Sequence, residues 1–213
     1  NETHTNAAWA TKLGKSFLGQ RNAKALGLTS SKTTTLNIGD TAYTGSSRRT
    51  HAADVNGDGY ADAILNNGNS LVVVFNNGTS NPYSSTVVNT SSALGTIYSI
   101  ATGDIDHDGD IDIVLGNTNT NRLFLNDGSQ YPFNSATAHQ ISTDSHLTTG
   151  IQLHDMNGDG WLDVVAGNES NTVNRLYLNT GTAPYLTGIT GTDISTDTDR
   201  TYGLEVADLN NDG

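Results

Sequence analysis

The sequence predicts an all-β protein, specifically a β-propeller of four-stranded blades, and three observations support this prediction. An aspartate-rich loop of the pattern DxDxDGxxD, with asparagine in place of the second aspartate in all copies but one, recurs about every fifty residues in this chain of 213 residues. Each complete loop is followed by short apolar runs that are separated by turn signals, which is the pattern of a propeller blade. No helical periodicity accompanies these runs. The chain holds about four such units, so the predicted ring is incomplete.

The loops are the most regular part of the repeat. They occupy residues 54–62, 104–112 and 155–163, and a truncated fourth copy occupies residues 208–213. Successive copies start 50, 51 and 53 residues apart, as expected for one structural unit that is repeated with small insertions. We number the nine loop positions from the first aspartate and refer to the copies as the first, second, third and fourth loop.

Four strands are predicted for each repeat, one before the loop and three after it. Alternating apolar positions lead into the loop, and the continuous apolar run behind it is typical of a strand buried on both faces. A second apolar strand then ends in an Asn-x-Gly turn signal, and a more polar strand comes last. The predicted strands lie at 100–102, 151–153 and 204–206 before the loops, and at 63–65, 71–75, 87–88, 113–115, 123–125, 140–141, 164–166, 176–178 and 193–194 after them. The only three prolines keep the same register, at Pro82, Pro132 and Pro184.

The start of the chain, residues 1–40, does not follow the repeat. Its apolar segments at 17–19 and 36–38 are compatible with the outer half of a preceding blade, whereas residues 7–28 are also compatible with a helical turn. The fourth loop stops at Gly213, three residues before its ninth position. We therefore interpret residues 1–213 as a single propeller domain or a fragment of one, whose ring the remainder of a larger chain or other subunits would close.

The loop spacing predicts a site for a hard cation. Side-chain oxygens at positions 1, 3 and 5 converge when the chain curls, and glycine at position 6 permits the sharp turn. Position 7 would add a backbone carbonyl and position 9 a closing carboxylate, and six or seven oxygens at about 2.3–2.6 Å suit Ca²⁺ better than Mg²⁺. The predicted metal ligands are Asp54, Asn56, Asp58, Tyr60 and Asp62; Asp104, Asp106, Asp108, Asp110 and Asp112; Asp155, Asn157, Asp159, Trp161 and Asp163; and Asp208, Asn210 and Asp212. At least three calcium sites are expected, with a fourth incomplete.

The loop pattern has two other interpretations. An EF-hand begins in the same way, but it needs a glutamate at position 12 and flanking helices. Position 12 is instead Leu65, Leu115 or Ala166, so an EF-hand is excluded. The second alternative is that Asp-Gly and Asn-Gly pairs only form turns, which would suffice for one copy but does not explain three copies in register. The second loop carries aspartate at all five odd positions and is predicted to bind calcium most tightly.

The composition supports a metal-binding rather than a nucleic-acid-binding protein. The formal net charge is -12, and 19 of the 22 acidic residues are aspartate, which offers short and rigid carboxylate ligands. The scattered basic residues form no stripe for phosphates, and no run of 18 apolar residues is available for membrane insertion. The chain has no cysteine, which excludes disulfides, thiol catalysis and thiolate zinc sites. Three calcium ions would change the formal charge from -12 to -6 and relieve repulsion among the gathered carboxylates.

These motifs resemble the FG-GAP and VCBS families of calcium-loop propeller repeats. The resemblance rests on the loop pattern, the apolar strand behind it and the segments Asn121-Arg-Leu-Phe-Leu-Asn-Asp-Gly128 and Asn174-Arg-Leu-Tyr-Leu-Asn-Thr-Gly181, and it covers roughly residues 45–213. The Phe-Gly and Gly-Ala-Pro signatures that name the first family are not evident, so the repeats of bacterial surface proteins are more similar than integrin α-subunit heads. The resemblance implies loops that bind calcium for structural reasons, and an extracellular protein that is secreted or on a cell surface.

Two classes of function follow from this resemblance. The first is an adhesion or binding module whose ligand is a glycan or another protein; the second is the propeller portion of a secreted polysaccharide-degrading enzyme, such as a lyase. The six histidines share no ligand-like spacing and no nucleophile motif is present, so the sequence favours the binding module without excluding the enzyme. Tyr60 and Trp161 share a loop position, which indicates packing between blades more than stacking on a sugar. Asp144, Asp193, Asp197 and Asp199 lie in Thr/Ser-rich connections and are interpreted as solvated turn residues.

Overall fold

The computed structural model describes residues 36–38, 41–43, 50–80, 82–83, 87–90, 94–169 and 171–209, and these residues form fourteen β-strands and no helix. β1 (Leu36–Ile38) and β2 (Thr41–Tyr43) pair as an antiparallel hairpin. The other expectations for the start of the chain lie in residues 1–35, outside the described residues. Within the described ranges there is also no helix long and apolar enough to cross a membrane.

The other twelve strands of the described residues form three four-stranded antiparallel sheets, one for each repeat. In every sheet the strands pair in chain order, so each sheet is a meander. The first sheet contains β3 (Thr50–Ala53), β4 (Asp62–Asn67), β5 (Ser70–Val74) and β6 (Val87–Asn89); the second contains β7 (Ile97–Gly103), β8 (Asp112–Asn117), β9 (Arg122–Phe124) and β10 (His139–Gln140); the third contains β11 (Leu147–His154), β12 (Asp163–Glu169), β13 (Arg175–Tyr177) and β14 (Thr192–Asp193). An acidic loop joins the first two strands of each sheet.

This architecture confirms the prediction of an all-β protein with four-stranded repeats. β4, β8 and β12 are buried along nearly their whole length, as expected for strands that are covered on both faces. One predicted strand is not formed. Residues 204–206 lie beside the third sheet, where Gln152 Nε2 donates to the carbonyl of Leu204 at 3.1 Å, but they make no β-ladder. A ladder needs a neighbouring strand, and the described residues contain none after this segment that could serve.

Apolar side chains between neighbouring sheets form the core and hold the sheets against one another. The large side chains between the first and second sheets include Ile64, Phe75, Ile97, Phe124 and Phe133, and those between the second and third include Ile105, Val114, Leu123, Tyr177 and Leu186. Nearly all of them are fully buried. Removing this apolar surface from water drives the sheets to stack.

The first strands of successive sheets lie next to one another. β3 contacts β7, and β7 contacts β11. Side chains connect them: His51 Nε2 and Thr102 Oγ1 are hydrogen-bonded at 2.9 Å, and Ser99 Oγ accepts from the N–H of Ile151 at 2.9 Å. Burial of the His51 ring lowers its pKa, which favours the neutral form in this contact. Since the loops follow these strands directly, all three complete loops lie along one edge of the stacked sheets.

Candidate metal centre

Each complete loop curls through two residues with left-handed backbone, at positions 4 and 6. Position 6 is glycine in all three loops, with φ of 86°, 96° and 91°. Position 4 is Gly57 in the first loop and Gly158 in the third, with φ of 69° and 76°, but it is His107 in the second, with φ of 60°. Glycine adopts this conformation without steric cost, whereas histidine is strained in it. The curl is therefore common to the loops, although one of them forms it from a less suitable residue.

The aspartate at position 9 begins the strand behind the loop and is fully buried in all three repeats. Both of its carboxylate oxygens accept backbone hydrogen bonds. Oδ2 of Asp62 accepts from the N–H of Val55 at 3.1 Å, and Oδ1 accepts from the N–H of Asn76 at 2.8 Å. Asp112 and Asp163 have the equivalent partners in their own repeats, at 2.7–2.9 Å. An ionised carboxylate has about four acceptor sites, so these bonds leave lone pairs for a metal ion.

Burial makes the position-9 carboxyl unusually reluctant to ionise. Loss of solvation is the main cause, and it raises the pKa of Asp62 and of Asp112 to about 7, although the two backbone N–H donors oppose the shift. The pKa of Asp163 is raised for the same reason. Carboxylates elsewhere in each loop add to the shift. A divalent cation in the loop would reverse it, because a nearby positive charge favours the ionised form.

In the first and third loops the asparagine at position 3 bridges to the carboxylate at position 5. Its Nδ2 donates to Asp58 Oδ2 at 3.1 Å in the first loop and to Asp159 Oδ2 at 2.9 Å in the third. At position 1 of the third loop, Asp155 accepts from the N–H groups of Gly158, Asp159 and Gly160 at 2.8–3.2 Å. These donors, that of Gly160 foremost, lower the pKa of Asp155. Internal hydrogen bonds thus hold these two loops closed.

The second loop lacks that bridge, because Asp106 at position 3 has no amide to donate. One carboxylate oxygen from each of Asp104, Asp106 and Asp108 lies within 4.8 Å of the others. The Oδ1 atoms of Asp104 and Asp106 are hidden from solvent, and no donor in the described part of the chain reaches them. Burial, followed by the charge of Asp108, raises the pKa of Asp106. Buried carboxylate oxygens without a donor are unfavourable, so this cluster suits a cation.

The donor sets of all three loops fit a hard divalent cation. Side chains at positions 1, 3, 5 and 9 offer only carboxylate and amide oxygens, which are the ligands that calcium prefers. In the second loop the carboxylate oxygens at positions 1, 3 and 5 lie close together. In the first and third loops hydrogen bonds link the residues at these three positions. Of the predicted fourth loop, Asp208 is among the described residues, whereas Asn210 and Asp212 lie outside them.

At position 7 the side chain packs over the glycine of the Asn-x-Gly turn in its own repeat. A Cβ on Gly78 would come within 2.5 Å of the Tyr60 ring, and one on Gly181 within 2.4 Å of the Trp161 ring. Asp110 takes the same place in the second repeat. The three glycines also have φ of 67°, 65° and 64°, so the turn requires glycine for its conformation as well as for space.

The sequence predicts the Asn-x-Gly segments as turns, but it does not predict what Asn76, Asn126 and Asn179 bind. Besides the backbone bond to position 9, each asparagine Oδ1 accepts from the glycine N–H two residues later, at 2.9–3.1 Å. Nδ2 donates to the carbonyl at position 8 of the same loop, at 3.0–3.4 Å. In the second and third repeats Nδ2 also reaches the preceding loop, at the carbonyls of Val55 and Ile105. The available signal is that asparagine, never aspartate, occupies this position in all three repeats.

An aromatic contact joins the second and third loops. The rings of His107 and Trp161 stack with their centroids 3.9 Å apart and their planes 12° from parallel. Tyr185 lies 6.1 Å from the Trp161 ring in a tilted arrangement. The structure therefore places Trp161 in a contact between repeats, in keeping with the expectation from its loop position.

A polar cluster joins the outer parts of the second and third sheets and corrects one interpretation. Arg175 on β13 donates through Nη2 to Asp144 at 2.9 Å and through Nη1 to Asp193, and its side chain is only 15% exposed. The hydroxyl of Tyr177 also donates to Asp144, at 3.2 Å. The interpretation as a solvated turn residue is therefore wrong for Asp144, whose side chain is 21% exposed and binds Arg175 and Tyr177. Asp193 is 57% exposed, as interpreted, but it lies on β14 and pairs with the same arginine. Asp197 and Asp199 are exposed, as interpreted.

The repeat matches a known protein family. The family model described as FG-GAP-like repeat matches three times, over residues 54–115, 105–166 and 155–213, and each match runs from one acidic loop into the next. No curated protein matches the chain. Because the three matches together span most of the sequence, the chain belongs to the FG-GAP-like repeat family.

Proposed function

We propose that this chain is part of an extracellular β-propeller whose acidic loops bind calcium, and that it serves as a binding or adhesion module. The observation that carries the proposal is the second loop. There, three carboxylates lie close together, and two of their oxygens, the solvent-hidden Oδ1 atoms of Asp104 and Asp106, have no donor among the described residues. Membership of the FG-GAP-like repeat family supports the binding role and the location, since such repeats are typical of extracellular or surface proteins.

The role proposed for calcium is structural. In each complete loop the ion would be held by the side chains at positions 1, 3, 5 and 9 and by the backbone carbonyl of Tyr60, Asp110 or Trp161 at position 7. Its charge would compensate the crowded carboxylates and favour the ionised form of the buried position-9 aspartate. The ion would thereby fix the connection between the first two strands of each sheet.

The proposal of a propeller rests on how the three sheets are arranged. Each is a four-stranded meander, the first strands are adjacent, and apolar cores lie between neighbouring sheets. These are the features of blades around a central axis. Further blades, from the remainder of a larger chain or from other subunits, are proposed to complete the ring.

The proposed ligand is a glycan or a protein. A cavity of about 340 Å³ is lined by the first strands of all three sheets and by residues 202–204, and it offers one candidate location. Ser99 and Gln152 contribute polar groups to its wall, and Tyr202 at its margin is 64% exposed. An exposed aromatic ring beside amide and hydroxyl groups can contact a sugar or a peptide.

Calcium dependence is tested by thermal unfolding of the full chain with calcium, with excess EDTA, and with magnesium in place of calcium. We expect EDTA to lower the melting temperature sharply and calcium, but not an equal concentration of magnesium, to restore it. Calorimetric titration should give at least three sites, and combining Asp104→Asn with Asp108→Asn should remove one. A melting temperature that EDTA does not change would overturn calcium binding.

The binding role is tested separately with a glycan array that is probed with and without calcium. Retention of the protein on specific glycans only when calcium is present would support the binding module. Depolymerisation of a polysaccharide by the protein would instead support an enzyme. Capture of a protein ligand by the calcium-loaded chain, with silence on the array, would narrow the proposal to protein adhesion.

A further inference from the structure

A series of buried hydrogen bonds connects the position-9 carboxylate of the first loop with that of the second. Oδ2 of Asp62 accepts from the N–H of Val55 at 3.1 Å. The carbonyl of Val55 accepts from Nδ2 of Asn126 at 2.8 Å. The backbone N–H of Asn126 donates in turn to Oδ1 of Asp112 at 2.7 Å. One peptide group of the first loop and one asparagine of the second repeat therefore join two candidate calcium ligands.

The same three bonds recur between the second and third loops. Asp112 Oδ2 accepts from the N–H of Ile105 at 2.8 Å, and the carbonyl of Ile105 accepts from Nδ2 of Asn179 at 2.9 Å. The N–H of Asn179 donates to Asp163 at 2.8 Å. All the residues on both paths are at most 5% exposed, so water does not compete for these bonds.

The residue at position 2 has two roles in this arrangement. Its N–H binds the position-9 carboxylate of its own loop, and its carbonyl receives the asparagine of the next repeat. An ion that fixes the position-9 carboxylate also fixes this peptide, and so presents its carbonyl to the asparagine in one orientation. That asparagine holds the position-9 carboxylate of the next loop. Ordering one loop therefore lowers the entropy lost on ordering the next.

We propose that Asn126 and Asn179 are positioning residues that couple the calcium occupancy of neighbouring loops, so that an ion in one loop raises the affinity of the adjacent loop. This inference rests on the proposed calcium binding and adds cooperativity along the repeats. The coupling is reciprocal: if an ion in one loop raises the calcium affinity of the adjacent loop by some factor, an ion in the adjacent loop raises the affinity of the first by the same factor.

The experiment measures the coupling factor between two loops. Calorimetric titration with calcium gives two binding constants for a chain with two competent loops, and one binding constant for each of the two chains with a single competent loop. The coupling factor is the product of the first two constants divided by the product of the two single-loop constants. Loops are disabled by asparagine at positions 1 and 5, and Asp208→Asn removes the incomplete fourth loop throughout. The disabling substitutions are Asp54→Asn with Asp58→Asn, Asp104→Asn with Asp108→Asn, and Asp155→Asn with Asp159→Asn.

For the second and third loops we expect a factor of about five or more in the otherwise unmodified chain. Asn179→Asp and Asn179→Ala should both reduce it to about one, since both lose the Nδ2–H donor and only the first adds a charge. Asn126→Asp is the matched control, because of the two connections between loops it breaks only the one between the first and second. For the first and second loops, Asn126 is the residue tested and Asn179→Asp is the control.

A purely structural asparagine would lower the melting temperature in calcium while leaving the factor unchanged, so melts are recorded beside the titrations. A factor of one in the unmodified pair, or one that Asn179→Ala leaves unchanged, overturns the coupling but leaves calcium binding intact. Absence of any calcium-binding heat in the full unmodified chain would overturn the proposed function itself. If the Asn179 variants do not fold, the Asn126 variants test the same prediction on the first pair.

Discussion

The second and third loops share one backbone curl but compensate their crowded carboxylates differently. In the third loop the Asn157 amide donates to Asp159, and three N–H groups surround Asp155. In the second loop Asp106 replaces the asparagine, and two buried carboxylate oxygens have no donor within the described ranges. The second loop keeps backbone bonds from Gly109 to Asp104 and from Asp110 to Asp108. The exchange of an amide for a carboxylate at position 3 thus removes a bridge and adds a charge, which the proposed ion would compensate.

The same pair of loops differs at position 4, while position 9 is alike. His107 occupies a left-handed conformation that glycine occupies in the third loop. Asp112 and Asp163 are buried to the same extent and accept the same two backbone bonds. The two loops therefore differ in how charge is compensated at position 3 and in backbone strain at position 4, and they share the anchoring of strands at position 9.

The largest expected effect is at position 9, where the two loops should respond equally. Asp112→Ala and Asp163→Ala each leave two buried N–H groups without an acceptor, and we expect each to cost about 2–6 kcal/mol of unfolding free energy. Urea denaturation in EDTA measures this, with the exposed Asp199→Ala as the control for removing a charge. A cost in the second loop several times that in the third would show that position 9 is not equivalent in the two loops.

The next effect is a dependence of metal-free stability on pH. The pKa of Asp112 is raised from 3.8 to about 7, so the fold favours its protonated form. The stabilisation is complete below about pH 4 and is lost as the pH rises through about 7, so the unfolding free energy in EDTA should fall between about pH 4 and 7. The pKa of Asp106 is raised as well, so Asp106→Asn should flatten this slope. In saturating calcium the slope should reverse, because the ion binds the ionised carboxylates; an EDTA slope that rises with pH would contradict the burial argument.

Exchanging position 3 between the loops tests their difference directly. Asp106→Asn gives the second loop the amide bridge of the third, so we expect about 1 kcal/mol of added stability in EDTA. It also removes a charged ligand, so calcium affinity of that loop should fall by about tenfold. Asn157→Asp should do the reverse in the third loop, and calorimetric titration and EDTA melts of both variants provide the measurement. If both variants behave like the unmodified chain, position 3 does not set ion dependence.

Much of the fold could be predicted from the sequence because it is local and repeated. Each strand and each loop is a short pattern, and three copies in register distinguish it from coincidence. The bond from Asn126 to Val55 and that from Asn179 to Ile105 join residues 71 and 74 positions apart, and they depend on how sheets stack. Local patterns do not specify that stacking, so these bonds were not predictable. The ion pair of Arg175 with Asp144, 31 positions away, was missed for the same reason.

The smallest net effect is expected for His107→Gly at position 4, where strain and stacking oppose each other. His107→Gly relieves a left-handed conformation worth about 1–2 kcal/mol and loses a ring stack on Trp161 worth about 0.5–1.5 kcal/mol, so the midpoints of the two ranges leave a net gain of about 0.5 kcal/mol. His107→Ala loses the stack but keeps the strain, and should be destabilising relative to His107→Gly. Gly158→Ala in the third loop introduces the strain alone, at φ of 76°, and should cost about 1–2 kcal/mol. Urea denaturation in calcium compares the three; if His107→Ala and His107→Gly are equally stable, the second loop tolerates its histidine without strain.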